Sequence, residues 1–106
     1  MLPIYHACIA LMESLGLRPQ NYIGWGGRPA GRWEHGIITA EVAADPRLSG
    51  ILTRSVGLQL RWQYLQRIRG DYRAYETMSA MTAQTSFQLA ERIIATVEDY
   101  LHAQGL

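Results

Sequence analysis

The 106 residues contain no lysine, so all ten basic residues are arginine. That absence excludes a P-loop lysine, a Schiff-base lysine and an anchor for pyridoxal phosphate. There is one cysteine, Cys8, which rules out an internal disulfide and fits a reducing compartment. No apolar run approaches the roughly 20 residues a membrane helix needs. No cationic segment precedes the first apolar stretch, so no secretory signal peptide is expected. No GxSxG, HExxH or DxDxDG pattern occurs, and no Cys or His pair has zinc-site spacing. Disorder is excluded as a default, because 48% of residues are apolar and only 18% charged. These bounds leave one domain with a small core, no catalytic machinery of a recognisable kind, no cofactor and no membrane partner.

What is present is unevenly distributed. The net charge of +1 hides three segments. Residues 1–45 carry about −1. Residues 46–70 hold Arg47, Arg54, Arg61, Arg67 and Arg69 without a single acid, and residues 71–106 carry −3. A positive middle and a negative tail can pair within one molecule or between copies.

The stretch Val56–Gly70 has the strongest periodic signal. Val56, Leu58, Leu60, Trp62 and Tyr64 alternate with Gly57, Gln59, Arg61 and Gln63. Period two predicts a strand with one face toward a core. Gly70-Asp71 then predicts a two-residue hairpin turn, with Tyr72–Met81 returning beside it. Such a hairpin would pair Trp62 with Ser79 and Leu60 with Met81. Glu34–Ala43 reads as another strand, with Ile38, Ala40 and Val42 on one face. The rival is helical. Asp45-Pro46 suits an N-cap followed by N1, and residues 71–104 lack Gly and Pro. Gly50 and Gly57, at about 1 kcal/mol each in a helix interior, weigh against it.

The ends are plainer. Ile4, Cys8, Leu11 and Leu15 make a helical stripe over Pro3–Leu15, stopped by Gly16 and Pro19. Thr85–Gln104 has capping-box spacing at Thr85 and Gln88 and a stripe of Leu89, Ile93, Val97 and Leu101. The expected fold class is α+β: an N-terminal helix, an antiparallel sheet of three to four strands with a long hairpin, and a C-terminal helix packed on the sheet. The alternative is mostly α with a long C-terminal helix.

Several constellations invite function. Gly24–Trp33 is a glycine-rich aromatic loop whose amides, with Arg28 and Arg32, could cradle an anion. The dinucleotide fingerprint fails because Pro29 stands at its third glycine position. His6 and Cys8 lie about 200° apart on a helix and share no face, and Cys8 reads as a buried thiol. Arg61, Arg67 and Arg69 share strand parity, so an arginine strip with Arg54 nearby could track a phosphate backbone. Trp25 and Trp33 would offer stacking platforms. Three Trp and six Tyr exceed what one small core needs, and aromatics with arginine are enriched at interfaces.

The leading expectation is a non-catalytic, oligomerising structural or assembly protein, in the cytoplasm or a virion, whose partners are itself and other assembly proteins. Its helix–hairpin–helix plan resembles, at the level of architecture alone, ring-forming tail-terminator and neck proteins of tailed phages. The second expectation is a nucleic-acid-binding module, and the third a small-ligand or anion-binding domain at Gly24–Trp33. The interaction candidates are Arg54, Arg61, Arg67, Arg69, Trp25, Arg28, Arg32 and Trp33.

Overall fold

The computed structural model describes residues 3–68 and 79–105. Among these the chain is all-helical. Helix α1 spans Pro3–Ser14, α2 His35–Ala44, α3 Pro46–Leu52, α4 Arg54–Ile68 and α5 Ser79–Ala103, with a 3-10 turn at Pro19–Asn21. The expected α+β fold is therefore overturned. No strand is present among the described residues, and the β pairing there is one isolated bridge, Ile23 to Pro29. Tyr72–Met78, most of the expected return strand, lies outside the described residues, as does the Gly70-Asp71 turn. Ser79, Leu60, Trp62 and Met81 are helical, so the proposed cross-strand pairs cannot form.

Helix α1 stops where glycine permits. Gly16 takes φ +81°. The Leu17 amide donates to Met12 O at 3.1 Å and the Gly16 amide to Glu13 O at 3.0 Å. This is the left-handed C-terminal cap, with the apolar residue beyond it packed back onto the core.

Helix α2 corrects the Glu34–Ala43 strand. Its buried residues are Ile37, Ile38, Thr39 and Val42, a helical rather than an alternating set. Helix α3 opens as the rival reading had it. Asp45 is the N-cap and accepts from the Arg47 amide at 2.8 Å, and Pro46 follows at N1. The Arg47 guanidinium adds an ion pair at 2.9 Å and holds the Asp45 carboxyl below the usual carboxylate range.

Thr53 then breaks the chain between α3 and α4 with φ 73°, a conformation β-branched residues rarely adopt. Its hydroxyl caps α4, accepting from the Val56 amide at 3.3 Å. Helix α4 buries Val56, Gly57 and Leu60. Gly57 is the contact point with α2. A Cβ there would run into the Val42 carbonyl, lying 3.0 Å from its carbon and 3.2 Å from Ala43 Cα. The glycine that counted against a helix is what lets two helix backbones meet.

Packing joins α2 to α4 and α1 to α5, with α3 touching α2, α4 and α5. Leu11, Met12, Ile38, Val42, Leu48, Val56, Ile93 and Val97 fill the centre. Cys8 is wholly buried among them, and burial pushes its thiol up to about 12. Because the thiolate is the reactive species, the native protein should resist alkylation at neutral pH. Labelling should appear only with unfolding, read as modified mass against denaturant concentration.

Candidate interaction face

Helix α4 carries its apolar residues on two sides. Val56 and Leu60 point inward. Leu58, Trp62 and Leu65 follow at i, i+4 and i+7 on the opposite side, where Leu58 is 48% and Trp62 51% exposed. They floor an open depression of about 760 Å³, bordered by Arg54, Ser55, Gln59 and Arg61.

A second depression, of about 490 Å³, adjoins it. Arg61 and Leu65 line both. Its far wall is the loop after the 3-10 turn, which contributes Ile23 and Trp25, and Ile68 closes the end of α4. The loop is a small hairpin. The Ala30 amide donates to Tyr22 O at 3.0 Å, the Gly24 amide to Arg28 O at 2.8 Å and the Gly27 amide to Gly24 O at 3.2 Å. Gly26 and Gly27 turn it with φ +88° and +75°. Trp25 stands at the tip, 95% exposed.

The face is held from behind. Arg61 Nη1 donates to Gly36 O at 3.1 Å and to Thr39 Oγ1 at 3.0 Å, tying α4 to α2, and the guanidinium lies 5.5 Å over the Tyr64 ring. The Thr39 hydroxyl donates in turn to His35 O at 2.9 Å. Glu34, the residue before α2, accepts the Trp25 amide at 3.2 and 3.3 Å and so fixes the loop tip.

The eight expected interaction residues separate accordingly. Arg54, Arg61 and Trp25 meet on this face. Trp33 faces away from the tip: it is half-buried, donates to Glu13 Oε1 at 3.0 Å and tilts against Tyr22. Arg28 and Arg32 are exposed on the loop. Arg67 leaves the Arg54–Arg61 side of α4 and is exposed. Arg69 lies outside the described residues. The strand parity of Arg61, Arg67 and Arg69 does not hold on a helix, where six residues separate Arg61 from Arg67 by about 240°. At the loop, the Gly24, Trp25 and Gly27 amides are satisfied within the chain, and the acceptor beside Trp25 is the protein's own Glu34 carboxylate. Sequence reasoning missed Leu58, Trp62, Leu65, Ile23 and Ile68 as surface residues.

His35 stacks on the buried Tyr5 ring, centroids 4.1 Å apart and planes 3° from parallel. Burial, with the Arg67 charge nearby, pulls its pKa below the usual 6.5. The fold thus favours neutral imidazole, and its stabilising contribution is complete above pH 6.5 and lost as pH falls through the lowered folded value. A melting-temperature series should show wild type losing stability below pH 6.5 relative to His35→Phe, which keeps the stack and cannot titrate.

Among the described residues, no cluster of three or more His, Cys, Asp or Glu side chains is arranged to hold a metal ion. No described helix is long and apolar enough to cross a membrane. Comparison with family models, curated proteins and solved structures finds no match to this chain.

Proposed function

We propose that this protein is a non-catalytic assembly module that associates with copies of itself through the α4 and loop-tip face. The observation that carries this reading is where its apolar surface lies. Six large hydrophobic residues are exposed among the described ones, and five of them (Ile23, Trp25, Leu58, Trp62 and Ile68) line two adjoining depressions. Scattered exposed apolar residues need no explanation, but contiguous ones rimmed by polar groups mark interaction sites. The composition of Trp, Leu, Ile and Arg is that of an interface centre.

Charge favours a second copy as the occupant. Residues 46–68 carry no acid and four arginines, of which Arg47 is paired with Asp45 and Arg61 is bonded to α2, while α5 presents Glu91, Glu98 and Asp99 with Arg92 on its exposed side. The likeness to ring-forming phage proteins depends on a hairpin sheet and lends no support to the all-helical chain.

The test is sedimentation across a dilution series. Concentrated protein should sediment at a multiple of 12.0 kDa. Raising salt from 50 mM to 1 M should weaken the association several-fold, as screened charge pairs require. A sedimentation mass of 12.0 kDa at every concentration removes the proposal.

A further inference from the structure

Resting on that reading, we infer that association is head-to-tail: the α4 stripe of one copy lies in the groove between α1 and α5 of the next. This groove, of about 400 Å³, is floored by Ala7, Ala10, Ile94, Val97 and Leu101. Alanines on α1 and aliphatic residues on α5 leave a shallow, almost wholly apolar trough. Glu98 and His6 border it, and Glu91, outside the lining, stands two turns earlier on the same side of α5.

The two surfaces match in kind. On α4, Arg54 and Arg61 are seven residues apart and flank Leu58, Trp62 and Leu65. On α5, Glu91 and Glu98 are also seven apart and flank Ile94 and Leu101. Arg61 Nη1 is held by Gly36 O and Thr39 Oγ1, so the exposed Arg54 is the cation that can meet an acid of α5 while one apolar stripe covers the other. Glu91 and Glu98 are exposed, which leaves their carboxylates accessible to a neighbour.

A two-fold contact of α4 with α4 lacks this match. It would set Arg54 and Arg61 of one copy against the same residues of the other, and α4 holds no acid to separate them. Like charges brought together across an interface oppose it. The α4 face and the α1–α5 groove share no residue, so each copy can use both at once. Repeating such a contact produces a closed ring or an open filament.

The test is a mixing experiment. Trp62→Asp blocks the α4 face and leaves the groove. Glu91→Arg with Glu98→Arg blocks the groove and leaves the α4 face. Each variant alone should be monomeric, and an equimolar mixture should form a dimer, read by light scattering as a doubling of mass. If the double charge reversal still assembles alone while Trp62→Asp does not, the contact is two-fold and the head-to-tail inference falls, with the assembly role intact. If both variants are monomeric and the mixture stays monomeric, the groove is not the partner surface and the inference also falls. If wild type is itself monomeric, the assembly role falls with it. Helical circular dichroism confirms that each variant is folded, and Leu58→Asp serves as the α4 block should Trp62→Asp fail that check.

Discussion

Gly57→Val should destabilise the protein strongly. The glycine faces the Val42 carbonyl and Ala43 Cα, which are backbone atoms and cannot rotate aside. Any side chain must push α2 and α4 apart, and those helices hold Ile38, Val42, Val56 and Leu60 in the core. Overpacking in a well-filled core costs about 1–3 kcal/mol, and more where backbone must move. A small domain has about 5–15 kcal/mol in total. Gly57→Ala should already lose up to about 2 kcal/mol in urea unfolding, since overpacking of about 1–3 kcal/mol is offset by alanine's gain of about 1 kcal/mol in helix propensity. Gly50 is the internal control. It lies in α3 with nothing within 4 Å of an added Cβ. There alanine should stabilise by about 0.5–1 kcal/mol, the ordinary gain of alanine over glycine inside a helix. Equal effects at both positions would mean that α2 and α4 do not meet at Gly57.

Trp62→Asp should abolish self-association and leave the fold intact. Trp62 is half-exposed at the centre of the stripe between Leu58 and Leu65, so its loss opens no cavity in the core. Central aromatic anchors of interfaces cost about 2–4 kcal/mol when removed, about 30- to 1000-fold in dissociation constant. A carboxylate in their place adds desolvation cost on top. The variant should melt within a few degrees of the dissociated wild type. A substantial loss of monomer stability would instead place Trp62 in the core and remove the face.

The same residues explain why the fold was hard to read. The alternation from Val56 to Tyr64 is real in the sequence, but it has two causes. Val56 and Leu60 are apolar because they are buried, whereas Leu58 and Trp62 are apolar on the solvent side of the same helix. Interleaved at a spacing of two, core and surface positions imitate a strand. Periodicity identifies secondary structure only when apolar residues are apolar for one reason. The α2 segment misled differently, since Ile37, Ile38 and Val42 are β-branched residues with tertiary packing to override their propensity.

Other parts were legible because their signals were local. Pro3, Gly16 and Leu17 specify a helix and its stop, and Leu89, Ile93 and Val97 form one buried stripe in α5. Asp45-Pro46 fits either a turn or a helix start, and the fold makes it the N-cap and N1 of α3. The candidate site was legible only in part. Arg54, Arg61 and Trp25 could be singled out by type, but their meeting on one face depends on Gly57 bringing α4 against α2 and on Glu34 fixing the loop tip. Both are contacts made across the fold.

The most direct measurement is hydroxyl-radical footprinting of wild type at rising concentration. Oxidation of Trp62 and Trp25 should fall as the protein is concentrated, while the half-buried Trp33, held by Glu13, should react at a constant rate. Trp62 oxidation that does not change with concentration, whether the residue is always open or always covered, would contradict the account.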